Sequence, residues 1–301
     1  MAEGPLHVSV MSAEVLTGLE PSAGQVLVDC TVGAGGHTRL LAERVVPGGR
    51  VIGLDQDPGM LELARARLED LPVELVHANF EDLQEVLQRL QIGPVDGVLA
   101  DLGFCSDQLA NPERGFSFQH EGPLDMRLDQ TRGEPASALV RRLQERELAD
   151  LIYQYGEERH SRRVARKLVE ARKKNPIVTT GQLAELVRSC VPRSRGGPSL
   201  DPATRTFQAL RIAVNDELGS LERFLTSVSS CLKPGGRVAV ISFHSLEDRL
   251  VKRAFRQKEI FEEITRKPLT ASETESAANP RSRSAKLRVA RVLESPTSRD
   301  R

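Results

Sequence analysis

The chain of 301 residues has no tryptophan, two tyrosines and four cysteines, and its formal net charge is zero. With Tyr153 and Tyr155 as its only tyrosines, it has no material for an extended platform on which bases could stack. Cys30, Cys105, Cys190 and Cys231 stand far apart with no C-x-x-C pair. That spacing argues against a zinc knuckle or a disulfide framework, and it fits a reducing cytoplasm; no metal is expected. No apolar run approaches the roughly 18–20 residues that span a bilayer, so no membrane partner is expected. The opening Met1-Ala2-Glu3-Gly4-Pro5-Leu6-His7 lacks the basic start of a signal peptide and the Arg-rich helix of a transit peptide. The zero net charge hides an asymmetry. Residues 1–100 hold 15 acids and 6 bases, whereas residues 157–211 hold 13 bases and 5 acids. A concentrated basic surface suits a polyanionic partner; a solvated helical face is the plainer reading.

The glycines are placed with more meaning. Val26 to Val32 is an apolar run that ends in Gly33-Ala34-Gly35-Gly36-His37-Thr38, and a second run, Val51 to Leu54, ends in Asp55. This is a strand–loop–helix–strand unit with an acid placed to accept both hydroxyls of a ribose. The dinucleotide fingerprint would require glycine at position 38, where the chain has Thr38. With Asp29 ahead of the loop, the pattern looks like motif I of S-adenosylmethionine-dependent methyltransferases.

Strand and helix alternate through the first hundred residues. Apolar runs at 26–32, 51–54, 73–76 and 97–101 are separated by helical patterns near 36–46, 58–70 and 81–91. The alternation predicts a parallel, doubly wound α/β sheet. From 107 to 210 only helical patterns follow, at Ala136–Tyr155, Glu158–Lys174 and Thr180–Val191, joined by loops such as Pro192 to Pro198. The α/β rhythm resumes with a helix near 206–231, a turn at Lys233-Pro234-Gly235-Gly236, a strand over 237–243 and a helix at 246–258. Strand candidates at 261–267 and 286–293 close the chain, and polar residues 268–284 read as a mobile loop. The expected division is a sheet domain over 1–106 and 211–301, interrupted by an all-helical insertion over 107–210. The insertion leaves the sheet where open α/β folds bind ligands, a position suited to presenting a second substrate.

Three acids share that edge: Asp29, Asp55 and Asp101, the last ending strand four. Three carboxylates suit a sulfonium cation and suit a pyrophosphate poorly, which disfavours a nicotinamide-dependent oxidoreductase. The first N–H groups of the helix after the loop, near His37 and Thr38, can receive a carboxylate. Asn79-Phe80 stands where an adenine contact would sit, or is a helix cap followed by a buried aromatic. In Ser242-Phe243-His244-Ser245-Leu246-Glu247-Asp248, Ser245 reads as the cap of the next helix, with Glu247 and Asp248 complementing its dipole. That leaves His244 as a candidate proton acceptor or substrate positioner. Two basic clusters, Arg159-Arg162-Arg163-Arg166-Lys167 and Arg281-Arg283-Lys286-Arg288-Arg291, could neutralise phosphates. Cys105 could be read as a nucleophile of the kind that attacks cytosine C6, but no proline adjoins it and no activating base is evident.

Taken together, the chain resembles the bacterial small-subunit ribosomal RNA cytosine-N4 methyltransferase family over almost its whole length. The resemblance is carried by His7 to Met11, Gly33 to His37, Asp55-Gln56-Asp57-Pro58, Asp101-Leu102-Gly103, Gln108-Leu109 and Arg114 to Phe118. It continues through Gly122 to Arg127, Tyr155 to Arg159, Ala203 to Ile212, Ile241 to Arg249 and Asn279 to Ser284. It implies a Rossmann-like class I methyltransferase sheet with a helical insertion for substrate recognition. It implies S-adenosyl-L-methionine as cofactor, contacted by Gly33, Gly35, Gly36, His37, Asp55, Phe80, Asp101 and Gln108. The implied reaction is methylation of the exocyclic N4 of one cytidine in the ribosomal decoding region. The partner is then small-subunit ribosomal RNA or an assembling small subunit, met in the cytoplasm by a monomer or homodimer. Asp101, His244 and Asp125 are the candidates for catalysis. Arg159, Arg162, Arg163, Arg166, Arg205, Arg281 and Arg283 are the candidates for RNA binding. Ser9 and Phe104-Cys105 depart from the family pattern, which usually has proline at the first position and a small aliphatic residue followed by serine at the others. The competing expectation is a non-catalytic RNA-binding assembly factor that keeps the cofactor fold.

Overall fold

The computed structural model describes residues 9–192 and 201–293; the motif start His7-Val8 and most of the loop 192–198 lie outside them. Residues up to Gly103, together with those from Leu218 onward, form one compact unit, and Phe104–Glu217 form a second.

The first unit opens with helix α1 (Ser12–Leu19) and then alternates β1 (Val26–Asp29), α2 (Gly36–Val45), β2 (Arg50–Asp55), α3 (Pro58–Arg67), β3 (Val73–His77), α4 (Leu83–Arg89) and β4 (Val95–Asp101). The second unit is helical, with α5 (Ser106–Ala110), α6 (Ala136–Arg142), α7 (Glu145–Gly156), α8 (Ser161–Arg172), α9 (Thr180–Cys190) and α10 (Ala203–Asn215). The chain then returns through α11 (Glu217–Ser227), β5 (Leu232–Ser242), α12 (Ser245–Phe255), β6 (Phe261–Glu263), β7 (Leu269–Thr270), α13 (Glu273–Ala278) and β8 (Lys286–Val292).

Among the described residues, all eight strands belong to one sheet in the order β3-β2-β1-β4-β5-β8-β6, with β7 also on β8. The first five strands are mutually parallel, and β8 runs antiparallel between β5 and β6. This is a doubly wound α/β sheet with one antiparallel strand inserted near its edge. Its strands are continuous apolar runs because both faces are covered. One face packs Val28, Ile52, Val98 and Val240 under Phe224 and Phe255; the other packs Leu27, Val51, Leu99 and Ile241 under Leu41 and Val15. Parallel order puts the C-terminal ends of β1, β2 and β4, and hence Asp29, Asp55 and Asp101, on a single edge. The second unit has its own core, with Leu148 and Ile152 of α7, Val164 and Leu168 of α8, and Leu183 and Val187 of α9. No helix among the described residues is long and apolar enough to cross a membrane.

Several expectations drawn from composition are corrected. The pattern 136–155 is two helices, because Leu143 and Gln144 turn extended and Glu147 caps the second helix by accepting the Gln144 N–H at 2.8 Å. The pattern 206–231 breaks at Asp216, which takes the left-handed conformation at φ 47°. Lys233 to Gly236 is a bulge inside β5 rather than a separate turn, since Leu232 pairs with Val95 and Arg237 with Gly97. Residues 268–284 are built structure: β7, α13 and a 3-10 turn at Pro280–Ser284.

Candidate active site

The loop after β1 is held open by Asp29, which is fully buried. Its carboxylate accepts the Thr31 N–H at 3.1 Å and the Thr38 hydroxyl at 2.7 Å. Thr38, itself fully buried, therefore ties the first turn of α2 to the end of β1. Glycine at that position would lose the tie. Two glycines in the loop have specific backbone reasons. Gly35 sits at φ 88°, where an L side chain is strained. A Cβ on Gly36 would meet the Ser9 hydroxyl at 2.0 Å, so the segment before α1 lies directly against the loop.

Asp55 is oriented rather than merely placed. One oxygen accepts the Gly33 N–H at 2.7 Å and the other accepts the Asp57 N–H at 2.8 Å. Asp57 is 2 % exposed and caps α3 by accepting the Gly59 N–H at 2.9 Å, with Pro58 at the first helical position. Asp101 ends β4, and its N–H donates to the Thr31 hydroxyl at 2.6 Å. Its Oδ2 lies 3.7 Å from Nε2 of buried His37. Its Oδ1 is buried without a hydrogen-bond partner among the described residues.

Burial pushes Asp29 and Asp55 up to about 6. Asp101 is driven further, to about 8, by burial and then by the charge of Asp29, with Arg281 pulling the other way and Glu247 adding to the rise. Three carboxyls on one edge all resist ionisation because negative charge is concentrated where water is scarce. A cation brought to that edge relieves all three. A sulfonium compound carrying a ribose fits these residues: two oriented acceptor oxygens at Asp55, a glycine loop that lets backbone approach, and an unshared oxygen at Asp101.

His244 and Glu247 complete this edge. The N-cap of α12 is His244, not Ser245 as the sequence suggests, because Ser245 already has helical geometry. Glu247, 2 % exposed, reaches back to accept the Phe243 N–H at 2.8 Å, and its other oxygen is 3.1 Å from His244 Nε2. Asp248 does more than complement the dipole: it pairs with Arg288 at 2.7 Å. Phe80 is half-buried in a short 3-10 turn and meets Phe224 edge-on at 5.6 Å between centroids. Asn79 caps that turn by accepting the Glu81 N–H at 3.2 Å, so the capping reading holds for it.

Gln108, Asp125 and the arginines from Arg159 to Arg205 belong to the second unit. Gln108 is 4 % exposed, and its Oε1 accepts the Cys105 N–H at 2.9 Å, which makes Cys105 the N-cap of α5. Asp125 is clamped by Arg127 through Nε at 2.7 Å and Nη2 at 2.9 Å, and this guanidinium outweighs burial to hold its carboxyl below the ordinary value. Arg159, Arg162, Arg163 and Arg166 are exposed at and along the start of α8, with Arg166 3.6 Å from Glu145. Arg205 is exposed and donates to the Glu157 carbonyl at 3.3 Å.

The second basic cluster does not survive as a unit, because three of its five members are already paired with acids. Arg288 is buried on Asp248, Lys286 is 3.8 Å from the same carboxylate, and Arg291 pairs with Glu262. Arg281 and Arg283 stand in the 3-10 turn before β8. Sequence reasoning passed over Thr31, and it gave Thr38 only a helix N–H and Glu247 only a part in the helix dipole. An acid followed by threonines at the second and ninth positions beyond it is the pattern that could have pointed to the first two.

The sequence profile of the MraW methylase family matches residues 5–293. A ribosomal RNA small subunit methyltransferase H of Sorangium cellulosum is 54% identical over 291 residues, which cover 96% of this chain and 91% of that protein. The protein of the same name from Deinococcus deserti is 51% identical over 290 residues, covering 96% of this chain and 94% of its own. A third from a Geobacter species is 48% identical over 303 residues, covering 94% and 97%. With a profile match across nearly all of its length and relatives this similar, the chain belongs to the MraW methylase family.

Proposed function

We propose that the chain is an S-adenosylmethionine-dependent methyltransferase that acts on the exocyclic N4 of a cytidine in the decoding region of small-subunit ribosomal RNA. The observation that carries the reading is the edge of buried carboxyls pushed above their ordinary range, with one oxygen of Asp101 unshared. Relatives similar over almost the whole chain are named small-subunit ribosomal RNA methyltransferases, and the exposed arginines of α8 suit a polyanion.

The cofactor, when bound, supplies a methyl group on a sulfonium sulfur. Asp55 is assigned the ribose hydroxyls, since its oxygens are already aimed by two backbone N–H groups. Gly33, Gly35 and Gly36 let the backbone approach, the first N–H groups of α2 near His37 take the amino-acid carboxylate, and Phe80 flanks the base. The cytosine amine is a poor nucleophile because its lone pair is delocalised into the ring. Asp101 accepts an N–H from that amine, which localises the pair and aims it. With the cofactor held there, its sulfonium would supply the methyl group to the amine nitrogen, and Asp101 would take the proton the amine gives up. His244, fixed by Glu247, positions the substrate. In the second unit, Gln108 and Asp125 keep the roles their contacts give them. Arg159, Arg162, Arg163, Arg166 and Arg205 are assigned to RNA phosphates.

The test is transfer of labelled methyl to small subunits from cells lacking this protein, followed by nucleoside mass spectrometry. Label in N4-methylcytidine is the expected result. Label in 5-methylcytidine would instead point to Cys105, and tight cofactor binding with no transfer to subunits or naked RNA would favour the assembly-factor reading.

A further inference from the structure

The corner between α7 and α8 gathers bases where a helix ordinarily starts with acids. α7 ends at Gly156, Glu157 takes the left-handed conformation at φ 50°, and buried Glu158 turns inward to accept the His160 N–H at 2.7 Å. α8 then starts at Ser161 with Arg162 and Arg163 and no acid in its first turn. The first turn of α10 meets the same corner. Arg205 donates to the Glu157 carbonyl at 3.3 Å, and Gln208 donates to the Tyr155 carbonyl at 3.0 Å. That turn, too, carries an arginine and no acid. Cations at a helix start oppose its dipole. α7 and α12 follow the ordinary rule, with Glu145 and Glu147 in one first turn and Glu247 and Asp248 in the other.

Pairing and exposure set this corner apart from the rest of α8. Between Tyr153 and Arg163 the exposed residues include one acid, Glu157, against Arg159, Arg162 and Arg163. Among the described residues none of these three arginines has an acid within ion-pair distance, whereas Arg166 lies 3.6 Å from Glu145. Tyr153 stands one turn before Glu157 on the same face of α7 and is 61 % exposed. A ring left that far out of the core contributes little to folding, and its flat face suits a base.

We propose that this corner is a binding site for an unpaired stretch of RNA, in which Tyr153 stacks on one base while Arg159, Arg162, Arg163 and Arg205 take the flanking phosphates. The inference rests on the reading that RNA is the substrate, and it adds the strand geometry that the second unit holds. A duplex offers its phosphates to the arginines but keeps its bases stacked inside, away from the ring. An unpaired stretch satisfies both. An acidic protein surface would meet the charges and bring no base to Tyr153.

The experiment measures binding of the full chain to a single-stranded oligocytidine and to an RNA hairpin duplex across salt, beside methyl transfer to undermethylated small subunits. Tyr153→Ala is expected to weaken oligocytidine binding by about five- to ten-fold and duplex binding by less than about two-fold. Tyr153→Phe restores the affinity. Arg162→Gln combined with Arg163→Gln lowers the salt slope for oligocytidine by about one to two and raises subunit KM with kcat unchanged. Lys173→Gln combined with Lys174→Gln, at the other end of α8, leaves slope and KM in place. The arginine variant is expected to melt no lower than the unaltered chain, since it sheds cations from a helix start. Equal effects of Tyr153→Ala on oligocytidine and duplex, or none on either, would overturn the proposal. So would weaker binding of the arginine variant to subunits with its oligocytidine affinity unchanged, which would make the corner a protein contact. Absence of N4-methylcytidine with the unaltered chain would overturn the functional reading, whereas normal transfer with unmoved oligocytidine affinity in Tyr153→Ala overturns this inference alone.

Discussion

The sheet edge of the first unit and the helices of the second treat their carboxylates in opposite ways. In the second unit Asp125 is clamped by Arg127, Glu217 is held by Arg211 at 2.7 Å and 2.8 Å, and Asp201 by Arg188 at 2.8 Å. At the sheet edge Asp29 and Asp55 receive backbone N–H groups and a threonine hydroxyl instead, and one oxygen of Asp101 receives nothing among the described residues. The consequence is visible in their ionisation. Asp125 is held below its ordinary value, whereas Asp29, Asp55 and Asp101 are all raised. A carboxylate that carries its own guanidinium is finished as a structural part. Buried acids without one lose folding stability, and at a strand edge that loss is recovered when a cation binds.

Breaking the edge at Asp55 has the largest expected effect. Asp55→Ala removes the oxygens proposed to accept the ribose hydroxyls and releases the Gly33 and Asp57 N–H groups. Loss of charge-assisted hydrogen bonds on this scale weakens cofactor binding by about 100-fold or more, read by calorimetry, and methyl transfer falls with it.

Asp101 sharpens the contrast, because the same change should harm catalysis and help folding. An acid with a raised folded pKa binds more protons folded than unfolded, so stability falls as pH rises from its ordinary 3.8 through about 8. Asp101→Asn is therefore expected to stabilise the cofactor-free protein by about 1 kcal/mol near pH 5 and by twice that or more near pH 8, read by urea denaturation. The same variant loses kcat by about ten-fold or more, since a neutral amide cannot take the amine proton.

The smallest change comes from the second unit. Asp125→Asn breaks the clamp on Arg127 and should cost about 1–2 kcal/mol of stability, while the affinity for S-adenosylmethionine stays as it was. If cofactor affinity fell as far as in D55A, the division between structural and functional acids would be wrong.

How much of this could be read from the chain follows from the range of each interaction. Asp29, Asp55 and Asp101 were legible because alternation of strand and helix puts strand ends on one edge, whatever the details. Thr38, which reads as a missing glycine, is explained only by its hydroxyl on Asp29. The helix breaks at Leu143 and Asp216 carry neither glycine nor proline, and they are set by a cap and a left-handed residue that periodicity does not register. The 3-10 turn at Pro280–Ser284 was not legible, because it depends on β8 running antiparallel beside β5 and lies in a segment whose polar composition reads as disorder.

The central claim is that the acidic edge is a receptor for a sulfonium, and the most direct test compares S-adenosylmethionine with S-adenosylhomocysteine, its neutral thioether, across pH by calorimetry. The account predicts that affinity for the sulfonium rises about ten-fold between about pH 6.5 and about pH 8 as Asp101 ionises, with proton release on binding, while affinity for the thioether stays nearly flat. Parallel pH profiles for the two ligands would contradict it.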